Sequence, residues 1–317
     1  MGKIHFDDND DIVDICLDNV FKAVFTRDTP VSQGALSKLV SALIEHDITV
    51  TAINANEPPI DNLRDRQIRF DINCKTAEGE LINVEMSFNP DSFEPVRLEF
   101  YAGKLFTGQD IRGINKSYSD LKQAYQIGIM AKEQFFPDDA FIHTFEYYDP
   151  ERRVSLNGRT RIITLELTKM DAIVDKPVGM MNTQELWAVF FRYLTDRGKR
   201  KIINEIVERE EGIAMASEVL INISKDETER AWLLSREKYE LDTQSRITNA
   251  RNEGMQRGMQ QGMQQGMQRG MQQGMQQGMQ RGMQQGMQQG MQQGHNEIIE
   301  LLKDGKSPDE IIKQYTR

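Results

Sequence analysis

From Ile68 to Phe88 the chain alternates apolar and polar residues in two arms about one short connection, and that pattern leaves few folds open. Ile68, Phe70, Ile72 and Cys74 alternate with Arg69, Asp71, Asn73 and Lys75. In the second arm Ile82, Val84, Met86 and Phe88 alternate with Leu81, Asn83, Glu85 and Ser87. This is the two-residue period of half-buried strands. Between them stands Ala77-Glu78-Gly79, with Gly79 suited to the left-handed third position of a three-residue hairpin loop, so that Thr76 opposes Glu80. Counting outward sets Ile72 opposite Val84, Phe70 opposite Met86 and Cys74 opposite Ile82. On the other face Asp71 falls opposite Glu85, and Arg69 opposite Ser87. A slip of one residue would set Asp71 against Met86 and mix the faces, so the register is well specified.

Two carboxylates facing across a sheet have Cβ atoms roughly 5 Å apart, and like charges there are destabilising. A divalent cation between them removes the conflict. Hard ions such as Mg²⁺ or Mn²⁺ take one or two protein carboxylates and keep positions for water and phosphate. Asp71 and Glu85 are thus candidate metal ligands. The other reading is a solvated sheet face that carries acids without function.

The cysteines and histidines narrow the chemistry. Cys16 and Cys74 are the only cysteines, both on apolar faces, which predicts reduced, buried thiols in a cytoplasmic protein. His5, His46, His143 and His295 have no ligand spacing, so any metal should be oxygen-bound. A formal charge of -10 opposes general DNA binding, which depends on Lys and Arg neutralising phosphates. A locally basic cleft is therefore required if DNA is the partner. Much of the acid lies in Asp7, Asp8, Asp10, Asp11 and Asp14, where solubility or mobile self-shielding would account for it. No apolar run reaches the ~20 residues of a membrane span.

Beyond the hairpin, Glu94 to Phe106 reads as a helix with Leu98, Ala102 and Leu105 inward. Arg97, Tyr101 and Lys104 share another of its faces. Earlier, Leu17, Phe21, Val24 and Phe25 form an apolar stripe beside an i, i+4 pair, Asp18 and Lys22. Further strands are expected at Ala124 to Met130, Phe141 to Tyr148 and Arg161 to Thr168. Helices are expected at Asn182 to Thr195 and Gly198 to Ser217, with Trp187 and Phe190 buried, and then along a run from Asp226 toward Asn252.

From Gly254 to Gly294 the sequence is a tetrapeptide array, Gly-Met-Gln-x, in which x is Gln except at Arg257, Arg269 and Arg281. Each interior Gly costs about 1 kcal/mol relative to Ala, so ten repeats forgo on the order of 10 kcal/mol of helix propensity. A period of four exceeds 3.6, and the Gly and Met stripes drift about 40° per repeat, a sense that favours right-handed winding of paired chains. The array is either a helical spacer that orders on self-association or a disordered linker. Two Gln per repeat exclude a bilayer span. The end reads as a helical hairpin, His295 to Lys303 and Ser307 to Tyr315, the second opened by Ser307-Pro308-Asp309-Glu310.

An Asp, a short hairpin and then Glu on the next strand resembles the signature of the PD-(D/E)xK nucleases. The chain is similar in particular to the recombination-promoting nucleases, the Rpn family, which are grouped with transposases. The resemblance is carried by Asp18-Asn19-Val20-Phe21-Lys22-Ala23-Val24-Phe25, by GELINVEMS (Gly79 to Ser87), and by Arg97 and Tyr101. It extends over roughly the first two thirds of the chain and weakly to the repeat. It implies an α/β fold, a restriction-endonuclease-like mixed sheet flanked by helices and followed by a helical C-terminal region with the repeat. The expected division is a nuclease-like domain at 1–180, a helical region at 181–253, the repeat at 254–294 and the hairpin at 295–317.

The implied activity is metal-dependent cleavage of DNA phosphodiesters in recombination or mobile-element DNA. Asp71, Glu85, Ser87 and Arg69 would be catalytic, and Arg97, Tyr101, Lys104 and Lys22 would contact substrate. Asp18 and Lys22 are either a surface ion pair or part of the rim of the metal site. Ser87 departs from the pattern, which has Lys or Gln there to orient water and neutralise the phosphate. Arg69 either compensates from across the hairpin or pairs with Asp71. The alternative function is a disabled nuclease fold that acts as an interaction protein and self-associates through its repeat.

Overall fold

The computed structural model describes residues 4–54, 70–111, 115–156 and 158–316. Helix α1 (Asp18–Phe25) is followed by α2 (Pro30–Ile44), whose start is set by Thr29 accepting the Ser32 N–H and by Pro30 in the first turn. Then come β1 (Val50–Ile53), the hairpin strands β2 (Ile72–Thr76) and β3 (Leu81–Ser87), and α3 (Glu94–Thr107). Strands β4 (Ala124–Met130), β5 (Ile142–Phe145), β6 (Tyr148–Asp149), β7 (Val154–Ser155) and β8 (Thr160–Glu166) complete the β structure. Helices α4 (Thr183–Tyr193), α5 (Arg200–Arg209), α6 (Glu211–Lys225), α7 (Glu227–Lys303) and α8 (Pro308–Tyr315) follow.

Six strands form a mixed sheet in the order β1-β2-β3-β4-β8-β5, in which β3, β4 and β8 run parallel and the outer pairings are antiparallel. The hairpin register follows the alternation, with Ile72 paired to Val84 and Cys74 to Ile82. Its loop closes as the glycine requires: Gly79 has φ 86°, its N–H donates to Thr76 O, and Thr76 N–H donates to Glu80 O at 3.0 Å.

Both faces of the sheet are covered. One carries Ile72, Cys74, Ile82, Val84, Met86, Ile127, Ile129, Ile163 and Leu165 into the main core with α1, α2 and α4 to α6. On the other, α3 buries Leu98, Ala102 and Leu105. Gly128 permits that approach, since a Cβ there would lie 2.6 Å from Leu98 Cδ1.

Several expectations change. Phe70 does not join Ile72 on the main-core face. Strand pairing ends at Ile72, Asp71 forms a bend, and Phe70 packs instead with Leu105 and Ala124 beneath α3. The stretch expected as one helix from Gly198 is two, α5 and α6, because Glu210 is extended and caps α6 through the Gly212 N–H. Gly212 also sits too close to Lys38 and Trp187 for a side chain. The first arm of the terminal hairpin is no separate helix but the end of α7, and only α8 stands apart, opened by the Ser307–Glu310 capping box. The strand expected to end at Tyr148 stops at Phe145. Neither α2 nor β1 was foreseen. In the acidic N-terminal segment, Asp10 O accepts from Arg200 and Asp11 pairs with Arg230.

The chain divides into two compact units, residues 1–240 and 241–317. The second comprises most of α7, with its ten repeat methionines all exposed, and α8. Among the described residues no helix is long and apolar enough to cross a membrane.

Candidate active site

Where the hairpin ladder ends, backbone pairing gives way to bonds made by side chains. Asp71 N–H donates to Glu85 Oε1 at 3.1 Å, and Met86 N–H donates to Asp71 Oδ2 at 3.1 Å. The two acids are thereby brought together, each carboxylate accepting from the other strand. Glu85 is only 2% exposed because α3 covers its face. Burial, then the Asp71 charge, push its carboxyl up to about 8.

Helix α1 brings two more charged groups. Lys22 Nζ lies 2.8 Å from Asp71 Oδ1 and 2.8 Å from Asp18 Oδ2. Asp18 and Lys22 are therefore not merely a surface pair but part of the same cluster. Burial and then Asp71 raise the Asp18 carboxyl to about 6. Burial pulls the Lys22 ammonium down, but Asp71 and Asp18 outweigh it and hold the group above the ordinary lysine range. Asp18 Oδ1 is buried with no hydrogen-bond partner.

On the β3 side, Asn83 shares the face of Glu85. Its amide donates to Glu85 Oε1 at 2.8 Å and to Gln126 Oε1 on β4 at 2.9 Å. This buried pair of amides orients one Glu85 oxygen. Further along β3, Ser87 Oγ donates to Glu94 Oε1 at 2.6 Å and accepts from Arg97 Nη2 at 2.8 Å. Arg97 Nη2 also meets Glu94 Oε1 at 2.7 Å, and its guanidinium lies 5.7 Å from the Tyr101 ring centroid. Tyr101 in turn makes an edge contact with Phe70, one residue before Asp71.

The structure thus gathers Asp71, Glu85, Ser87, Lys22, Arg97 and Tyr101 around the open end of the hairpin. Lys104 stands apart, over the exposed Phe100 ring at 5.8 Å. Arg69 lies outside the described residues. Asn83, Glu94 and Gln126 were not singled out from sequence. The register placed Asn83 two residues from Glu85 on one face, but Glu94 and Gln126 reach the site only through tertiary contacts.

The sequence pattern of the family described as PD-(D/E)XK nuclease family transposase matches residues 15–250. The chain belongs to that family. No curated protein and no solved structure matches it. Membership accounts for the mixed sheet with its flanking helices, and it carries a nuclease-like or transposase-associated function. In PD-(D/E)XK proteins divalent ions are the general cofactor, and the donor set here suits one. It is all oxygen, Asp18 Oδ1 has no hydrogen-bond partner, and burial together with the Asp71 charge raises the Glu85 carboxyl, a conflict that a cation would relieve. Among the described residues no three His, Cys, Asp or Glu side chains converge on one point. Two carboxylates suffice for an ion that keeps water and phosphate ligands.

Proposed function

We propose that this chain is a metal-dependent DNA endonuclease that hydrolyses phosphodiester bonds, with recombination or mobile-element DNA as its setting. The observation that carries this reading is the joining of Asp71 and Glu85 at the open end of the β2–β3 hairpin, next to a third acid and two cations. Asp71 and Glu85 would hold Mg²⁺ or Mn²⁺, with Asp18 beside them. When bound, such an ion lowers the pKa of a ligated water and offsets charge on the scissile phosphate.

The chain's own residues do the rest. Asn83 and Gln126 keep Glu85 aimed, and Asp71 is fixed by the Met86 N–H. Lys22 balances the acids before substrate arrives and offers its ammonium to a phosphate. Arg97, with Tyr101 beneath it, is the candidate phosphate contact of α3 on a chain of net charge -10, and Lys104 further along the helix would meet DNA outside the cluster. Plasmid nicking stimulated by Mg²⁺ or Mn²⁺ in wild type and absent in Asp71→Ala is the expected result. No cleavage with any divalent ion overturns it.

A second reading is favoured by one observation: Ser87, where the resembled pattern has Lys or Gln, is engaged by Glu94 and Arg97 within the protein. In that reading the fold is a disabled nuclease that serves as an interaction protein. The repeat helix, whose methionines are 61–76% exposed, would then pair with another copy. Sedimentation of the full chain against a chain ending at residue 253 tests that assembly, and the same number of chains per particle in both would dismiss it.

A further inference from the structure

Ser87 follows Glu85 by two residues on the same strand, so both side chains emerge on the face beneath α3. A long cation at this position would project along that face toward the substrate side of the two acids. Ser87 is too short to do so. Yet the place such a cation would fill is not empty of charge, because Arg97 Nη2 lies 2.8 Å from Ser87 Oγ. One serine side chain plus one hydrogen bond has about the reach of a lysine stem.

The arginine is held from three sides. Glu94, itself 3% exposed, takes its Nη2 at 2.7 Å, Ser87 takes the same nitrogen, and Tyr101 lies under the guanidinium. Both hydrogen bonds fall on the inner nitrogen, while the side chain as a whole remains 41% exposed. A guanidinium anchored through Nη2 on a partly exposed side chain is suited to a phosphate oxygen. Glu94 is the first residue of α3, where a carboxylate is favoured by the helix dipole, so the holder is itself stabilised in place.

We infer that Arg97, locked by Ser87 and Glu94, supplies from the helix a fixed positive charge that Ser87 does not provide from the strand. The inference rests on the proposed nuclease reading and assigns within it the group that meets the scissile phosphate. Arg97 makes and breaks no bond. Its charge is permanent, so it neutralises the phosphate without giving or taking a proton, and Ser87 is a positioning residue for it rather than a nucleophile.

The experiment is a kinetic series on supercoiled plasmid in Mn²⁺ or Mg²⁺, comparing wild type, Arg97→Ala, Arg97→Met, Glu94→Gln and the double variant Arg97→Ala with Ser87→Lys. Arg97→Met keeps the apolar stem on Tyr101 and so separates lost charge from lost packing. Loss of the charge is expected to slow cleavage about 100-fold or more in both Arg97 variants. Lysine at 87 should restore at least tenfold of that loss, because it brings a cation to the same place from the strand. Glu94→Gln should reduce the rate less than Arg97→Ala. Cleavage in Arg97→Met within threefold of wild type, or no recovery in the double variant, overturns the assignment while leaving the nuclease reading intact. An inert wild type removes both.

Discussion

The Lys22 ammonium sits 2.8 Å from Asp71 Oδ1, bridging from helix α1 to the bend that precedes β2. It is the nearest cation to Asp71 among the described ion pairs, and it also holds Asp18. Both partners are mostly buried, with side chains 22% and 13% exposed.

Removal of Lys22 should therefore leave Asp71 and Asp18 without their ion-pair partner. Lys22→Met is expected to destabilise the ion-free protein by about 3 kcal/mol, the usual cost of stranding a buried charge. Added Mg²⁺ or Mn²⁺ should return part of that loss. Urea unfolding with and without the ion measures both, and an unchanged midpoint in the variant would show the bridge to be idle.

Glu85 makes stability fall as pH rises. Burial and then the Asp71 charge push its folded carboxyl up to about 8 from an ordinary value of 4.5, so below 4.5 both states should be protonated and the group without effect. Between 4.5 and 8 the unfolded state ionises first and the fold loses stability, on the order of a few kcal/mol in all, and above 8 the loss is complete. Asp18 adds the same sign between 3.8 and about 6. Glu85→Gln, which keeps an oxygen for Asn83 and Asp71, should flatten the ion-free profile and melt higher than wild type at pH 8. Calorimetry at pH 7 should show protons released when a divalent ion binds.

Gly128 governs the seating of α3, and hence of Arg97. A methyl there meets Leu98 Cδ1 at 2.6 Å and Cδ2 at 2.9 Å. Gly128→Ala should cost about 1–3 kcal/mol by overpacking. The companion variant Leu98→Ala with Gly128→Ala should relieve the clash. A thermal melt decides it: no additional loss from Gly128→Ala in wild type would mean that the helix shifts freely.

In the repeat, the glycines from Gly254 through Gly294 lie in helix α7, and a methyl group added at any of them would point into open space. Replacing Gly266, Gly270 and Gly274 with Ala should raise helix stability by about 3 kcal/mol in total. Circular dichroism of the full chain should show a higher melting range for its helical signal. A lowered one would indicate that those glycines pack against another chain.

Much of this was legible in residue order. The hairpin register came from a period of two and one left-handed glycine, both local, and together they placed Asp71 beside Glu85. The Asp18–Lys22 pair was legible as an i, i+4 contact, but its bond to Asp71 was not, because Lys22 and Asp71 are 49 positions apart in sequence and only packing of α1 against the sheet joins them. Phe70 was misassigned for a related reason. Alternation assumes that the strand continues, whereas the strand ends once side-chain bonds from Asp71 and Glu85 replace the ladder. The split between α5 and α6 likewise depends on Gly212 meeting Lys38 and Trp187, neighbours that no helical period encodes.

By itself the sequence determined the strand pair, the closeness of Asp71 to Glu85 and the buried thiols, since each rests on interactions within a few residues or across one tight turn, while it left the repeat open between a helical spacer and a disordered linker. Tertiary structure alone decided which charges surround those acids: Lys22 from α1, Gln126 from β4, Glu94 and Arg97 from α3. The physical reason is burial. Acids under a helix must find partners wherever the folded chain brings them, and electrostatic compensation is a property of distance in space rather than of order along the chain.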